Sequence, residues 1–182
     1  MIVTAKLDNV DLIQTAVIVA VPDAEDAIAT WRARLDPAAG RGVPAHVTVL
    51  YPFLAPGAID DAALEALARI IAAVPAFELS LARTAWFGHK VLWLHPEPDE
   101  PFRTLTEQVW RRFPQCPPYE GGHTEVVPHL TIGDDAPLPD LERAESSVAA
   151  ALPLRTRVTR AQLICGSFEP NSWRTINEFP LG

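Results

Sequence analysis

Two stretches of this chain, Pro44-Ala45-His46-Val47-Thr48-Val49-Leu50-Tyr51-Pro52-Phe53 and Val127-Pro128-His129-Leu130-Thr131-Ile132, carry the same pattern. Each is a strand-like apolar run entered just after a proline, and each holds one His-x-Thr tripeptide. In a strand, side chains two apart leave the same face about 6.5 to 7 Å from one another. Each copy therefore aims an imidazole and a hydroxyl at one surface. A lone His-x-Thr is most often a histidine whose polar atoms are satisfied by neighbours. Two copies in matching contexts carry more information than either alone.

The two groups suit phosphoester chemistry for separate reasons. Imidazole, with an unperturbed pKa near 6.5, can accept a proton from an attacking oxygen at neutral pH. A second imidazole, kept protonated by a phosphate, can donate one to the leaving oxygen. Threonine hydroxyls can donate hydrogen bonds to the non-bridging oxygens, where charge is held in the transition state. Two histidines and two threonines thus form a set that needs no metal, and no cofactor is expected.

Around these stretches, helical spacing follows Asp23 (Ala24, Ile28, Trp31, Leu35), Asp60-Asp61 (Leu64, Leu67, Ile71, Val74), Asp99 with Pro101 (Phe102, Leu105, Val109, Phe113) and Asp140 (Leu141, Ala144, Val148, Leu152). Strand-like runs cover about Leu12 to Val21, His46 to Leu54, Phe77 to Phe87, Lys90 to His95, Pro128 to Gly133, Thr156 to Cys165 and Trp173 to Phe179. The order is strand, helix, His-x-Thr strand, helix, strand, and then the same again from about Lys90, which reads as an internal duplication. The expected fold is α+β and bilobed, with pseudo-two-fold symmetry. An antiparallel-rich sheet lies in each lobe, with helices outside and a cleft between. The 182 residues form one domain of two lobes, approximately 1–88 and 89–182, with terminal strands free to exchange between them.

Composition narrows the partners. Fifteen basic and 23 acidic residues give a net charge of −8, the wrong sign for gripping long double-stranded nucleic acid. A small nucleotide or an RNA end remains open, because a few local arginines suffice. Arg155, Arg157 and Arg160 are the densest basic group and read as the solvated face of a strand. The apolar run Ala16 to Val21 is too short to span a bilayer, and Lys6 with Asp8 and Asp11 does not make a signal-peptide start. A cytoplasmic monomer without membrane contact is expected. Cys116 and Cys165 read as two reduced thiols, and no metal-ligand spacing such as His-Glu-x-x-His occurs.

The quoted stretches, together with Trp93-Leu94, Pro101-Phe102, Pro117-Pro118-Tyr119, Trp173 and Phe179-Pro180-Leu181-Gly182, resemble the order of landmarks in the two-histidine (2H) phosphoesterases, and within them the bacterial 2'-5' RNA ligase-like proteins. The likeness covers nearly the whole chain. It implies a bilobed fold and metal-independent chemistry on 2',3'-cyclic phosphates or 2'-5' linkages of RNA or nucleotides. The catalytic set then falls on His46 and His129, with Thr48 and Thr131 binding phosphate; the family suggests His129 as base and His46 as acid. Hydrolysis ranks ahead of 2'-5' RNA ligation, because water is the abundant nucleophile and the acidic balance marks no second RNA site. A nucleotide- or RNA-end-binding module with little catalysis keeps the same residues, and sequence does not separate the two.

Trp86, Trp93, Phe53 and Tyr119 are candidates for stacking on a base, with Phe87 beside them. Strand parity sets Tyr51 and Phe53 opposite to His46, so an unbroken strand buries both in the core. His89, His95 and His123 read as turn residues. The stretch from Pro114 to Pro128 has no periodicity and leads into the second motif, as a lid or only a connector.

Overall fold

Apolar periodicity and acidic helix starts divide the chain much as the sequence predicts. The computed structural model describes residues 13–122 and 126–182. The expectations on Lys6, Asp8, Asp11, Leu12 and His123 fall outside them. The order is β1 (Gln14–Ala20), α1 (Glu25–Leu35), α2 (Pro37–Gly40), β2 (His46–Leu50), α3 (Asp61–Ala72), β3 (Phe77–Phe87), β4 (Val91–Glu97), α4 (Glu100–Arg112), β5 (Leu130–Asp134), α5 (Leu138–Ala149), β6 (Leu154–Val158), β7 (Arg160–Gly166) and β8 (Arg174–Pro180). The four long helices lie where the spacing put them. Asp60 caps α3 by accepting the Ala63 amide at 2.8 Å, which satisfies a donor that the first turn leaves open. Among the described residues no helix is long and apolar enough to cross a membrane.

The fold is α+β and bilobed. One sheet has the order β2-β1-β7-β8 and the other β5-β4-β3-β6, with antiparallel neighbours throughout. The pseudo-symmetry is legible in these orders: β1 corresponds to β4, β2 to β5, β7 to β3 and β8 to β6. Each sheet takes a strand from the end of the other sequence half. β3 pairs with β4 of the second half, and β7 returns to pair with β1. The expected single strand from Thr156 to Cys165 is two strands of different sheets, linked through Thr159. Helices follow the same exchange. α1, which joins two strands of the first sheet, packs on β5, and α4, which joins two of the second, packs on β2.

This crossing brings β2 and β5, the edge strands that carry the motifs, against each other. Thr106 of α4 donates its hydroxyl to the Val49 carbonyl at 2.7 Å, tying that helix to the back of β2. At Gly133 of β5 an added Cβ would lie 2.5 Å from Leu141 Cδ2 and 2.9 Å from Leu35 Cβ, so α1 and α5 approach the strand only because the position is glycine. One large apolar core runs through both lobes and contains Val47, Val49, Leu130 and Ile132. Cys116 and Cys165 are buried free thiols.

Candidate active site

Alternation along the motif strands gives each half one buried face and one open face. In β2, Val47 and Val49 are buried while His46 and Thr48 are half-buried; in β5, Leu130 and Ile132 are buried while Thr131 is half-buried, as is His129 just before the strand. His46 and Thr48 line a cavity of about 170 Å³ with Tyr51, Trp173, Arg41 and Gln14. His129 and Thr131 line another, of about 370 Å³, with Phe87, Val91, Val127, Tyr119 and Asp134. Tyr119, in the wall of the second cavity, is hydrogen-bonded through its hydroxyl to Thr48 in the first.

The two histidines are held alike. Nδ1 of His46 lies 2.7 Å from the Pro44 carbonyl, and Nδ1 of His129 lies 2.7 Å from the Val127 carbonyl, two residues back in each case. A carbonyl only accepts, so each Nδ1 carries the proton and each Nε2 is the acceptor in the neutral ring. The backbone one residue earlier is also fixed alike. Arg32 of α1 donates to the Val43 carbonyl at 3.2 Å, and Arg103 of α4 donates to the Val126 carbonyl at 3.0 Å. Each arginine pairs with an aspartate one helical turn away, Arg32 with Asp36 and Arg103 with Asp99, both at 2.8 Å. Glu25 adds a bond from the Ala45 amide at 2.6 Å. The sequence reading missed these arginines. The available signal was charged pairs at i,i+4 in helices preceding each motif, which is also the commonest pattern of a solvated face.

Electrostatics separates the histidines. Burial pushes the His46 imidazole down to about 4, with the Arg32 guanidinium and His129 lowering it further and the bond to Pro44 opposing. His46 is therefore neutral in the free protein at pH 7. Burial pushes the Tyr119 phenol up, against the bond to Thr48. The Asp134 carboxyl is also raised, by burial and then by Asp36 and Asp135, against the pull of His129 and Lys90.

The stacking candidates separate by position. Tyr119 lines the His129 cavity. It is placed there by left-handed backbone at Tyr119 and Glu120 (φ 50° and 56°), conformations that cost roughly 1–2 kcal/mol each in residues other than glycine. Its amide donates to the Tyr51 carbonyl at 2.7 Å, so the segment before the second motif is fastened to the end of the first. Trp93 is buried behind His129, with ring centroids 5.9 Å apart, and stacks on Phe87 at 4.8 Å. Phe87, more exposed, forms the cavity wall. Trp86 faces the other way, as alternation along β3 requires, and donates its indole N–H to Glu145 of α5. Phe53 lies in the core against Phe113, out of reach of a base.

Tyr51 departs from the buried position expected of it. The β1–β2 register slips by one residue between Thr48 and Leu50, so Val49 and Leu50 are both buried and the alternation reverses before Tyr51, where β2 has ended ahead of Pro52. Pairing resumes where the Phe53 amide donates to Thr15, and Tyr51 is left in the cavity wall with its hydroxyl donating to Gln14 at 3.0 Å. His95 is no turn residue but part of β4, half-buried beside Trp93. His89 is an exposed turn residue. Arg157 and Arg160 are exposed and paired with Glu78 and Glu178. Among the described residues no three His, Cys, Asp or Glu side chains gather as a metal site needs.

Known proteins share this fold. No curated protein matches the chain. Among solved structures, E. coli LigT complexed with 3'-AMP is 21% identical over 94% of this chain and 99% of that one, with a TM-score of 0.55. LigT complexed with NADP+ superposes with a TM-score of 0.54 at 21% identity, over 94% of this chain and 99% of that one. The Thermus thermophilus protein TT0787 is 18% identical over 92% of this chain and 97% of its own, with a TM-score of 0.59. The sequence model described as the 2'-5' RNA ligase superfamily matches residues 20–165, both motif strands included. The chain belongs to the 2'-5' RNA ligase superfamily, the two-histidine phosphoesterases.

Proposed function

We propose that the chain is a phosphodiesterase that opens 2',3'-cyclic phosphates, or cuts 2'-5' linkages, of nucleotides or RNA ends by two-histidine acid-base catalysis without a metal. The observation that carries this reading is the matched pair of Nδ1–carbonyl bonds at His46 and His129, each of which fixes the ring and makes Nε2 its basic nitrogen. The ligands of E. coli LigT, among them 3'-AMP, ATP, NADP+ and phosphate, support a nucleotide phosphate as the occupant.

In the proposed reaction His129 takes a proton from water, whose oxygen bonds to phosphorus. The bond from phosphorus to the ribose oxygen breaks in line, and His46 protonates that oxygen. Thr48 and Thr131 donate to the non-bridging oxygens. A neutral His46 becomes an acid only once charged, and the substrate supplies the means. A unit negative charge about 4 Å from the ring, at an effective dielectric constant of about 20, stabilises imidazolium by about 4 kcal/mol. At about 1.4 kcal/mol per pH unit, that is enough to bring His46 from about 4 to about 7. Phosphate binding then draws in a proton at neutral pH.

The test is turnover of 2',3'-cyclic nucleotides and 2'-5' dinucleotides with EDTA present. The expected result is hydrolysis to a monophosphate, insensitive to the chelator. Tight binding without turnover would replace the enzyme with a binding module, and joining of RNA ends in preference to hydrolysis would make it a ligase.

A further inference from the structure

We propose that the cavity beside His129 is a nucleoside subsite in which Asp134 accepts a hydrogen bond from a neutral donor of the nucleoside and turns away a second phosphate. The inference rests on the phosphodiesterase reading above and names which substrates that site takes. A cavity built for phosphate should present cations, yet among the described residues the one carboxylate in this wall is Asp134. Among those residues Asp134 makes no ion pair; the nearby Lys90 is taken by Asp135 at 3.0 Å. Asp36 and Asp135 also act on it electrostatically, against His129 and Lys90. Such a carboxylate repels an anion and rewards an N–H or O–H donor.

Phe87 lies in the same cross-strand row as Asp134, with Val91 between them. Phe87 is 37% exposed, and its ring is held from behind by Trp93 at 4.8 Å and by the edge of His129 at 5.0 Å. A rigid aromatic face in one cross-strand row with Val91 and the Asp134 carboxylate is a site for a flat, apolar-faced group whose edge carries donors. A nucleoside has that form. In a 2',3'-cyclic nucleotide both ribose hydroxyls of the ring diol are consumed, so the remaining donors are the 5'-hydroxyl and the base N–H groups, the amine of cytosine or the N3–H of uracil. The His46 cavity has the reverse character, with Arg41 as the one charged side chain of its lining among the described residues.

The experiment compares kcat/KM for cytidine and uridine 2',3'-cyclic phosphates, each with a 5'-hydroxyl or a 5'-phosphate, in the wild type and in Asp134→Asn. Calorimetry of nucleoside 3'-monophosphate against 3',5'-bisphosphate provides the same comparison without turnover. The wild type is expected to favour the 5'-hydroxyl forms by about tenfold, and Asp134→Asn to cut that preference to about threefold or less. A cytidine preference that disappears in Asp134→Asn identifies the donor as the base amine, a uridine preference that does so identifies it as the uracil N3–H, and equal handling of the two identifies it as the 5'-hydroxyl. Equal use of both 5' forms by the wild type, or a preference unchanged in Asp134→Asn, overturns the proposal. Absence of all turnover overturns the phosphodiesterase reading instead, and the calorimetric ratio alone then decides the subsite.

Discussion

The two halves of the molecule repeat one device in two settings. In each, a helix arginine holds the carbonyl three residues before the motif histidine, and the carbonyl two residues before it fixes Nδ1. The settings differ. Arg32 and Asp36 are buried, with 3% and 4% of their side chains exposed, whereas Arg103 and Asp99 are 39% and 32% exposed. The His46 cavity is small and carries Arg41; the His129 cavity is larger and carries Asp134. The repeated parts are those a phosphate would touch in any substrate. The divergent parts are those that would touch the rest of it, so substrate identity is to be sought in the walls and not in the motifs.

Equality of the two histidines is the first point at which the comparison can break. His46→Ala and His129→Ala are each expected to lower kcat by about 10² to 10⁴, the usual yield of a positioned acid or base. Their roles separate with a substrate whose leaving group departs without protonation. That substrate should restore His46→Ala and leave His129→Ala impaired, and the opposite rescue would exchange the roles. Loss at only one of the two positions would show that the duplication is not catalytic in both copies.

Burial predicts unequal effects from equivalent arginines. Arg32→Met leaves Asp36 buried without its partner, which typically costs about 3–5 kcal/mol. Arg103→Met removes a bond near the surface and should cost about 1 kcal/mol or less. Urea unfolding of the two variants measures the difference, and equal losses would mean that the two halves are energetically alike despite their burial.

His46 should also leave a signature in stability against pH. Its folded-state value of about 4 lies below the 6.5 of an unfolded histidine. As pH falls the unfolded chain takes up this proton first, so stability is complete above about 6.5 and is lost as pH drops towards 4. The loss is at most about 3 kcal/mol, reduced by the open edge of the ring. Thermal melts of the wild type and His46→Gln across this window should diverge, the wild type falling more steeply. Parallel curves would mean the ring titrates like a free one.

Much of this was legible in the sequence, because it depends on local periodicity. Alternation in His46-Val47-Thr48-Val49 determined which side chains are buried, and the spacing after Asp60 determined both a helix and its cap. What was not legible depends on contacts far along the chain. Thr159 carries the chain from one sheet to the other, and nothing in its neighbours distinguishes it from the middle of one strand. Trp86 and Phe87 are adjacent aromatics that alternation places on opposite faces of β3, and which face meets α5 and which the cavity is decided by packing far along the chain. Tyr51 changed sides because a one-residue bulge at Val49 reverses the alternation that the parity argument took as unbroken.

The smallest expected effect concerns the threonines. Thr48 is hydrogen-bonded to the Tyr119 hydroxyl, a phenol delivered by the left-handed turn before the second motif. A hydroxyl with one lone pair or proton committed to a phenol is held in a defined orientation, which favours donation to a phosphate oxygen at no ordering cost. Tyr119→Phe removes the bond while keeping the ring, and a neutral hydrogen bond contributes about 0.5–1.5 kcal/mol. The expected result is a fall of about two- to tenfold in kcat/KM, with folding stability little changed. Double-mutant cycles give the sharper reading. Tyr119→Phe should be non-additive with Thr48→Val, since the second change removes what the first acted on, and additive with Thr131→Val. Equal coupling to both threonines would mean that Tyr119 touches the whole site and not one side of it, and the asymmetry drawn between the two halves would then end at the cavity walls.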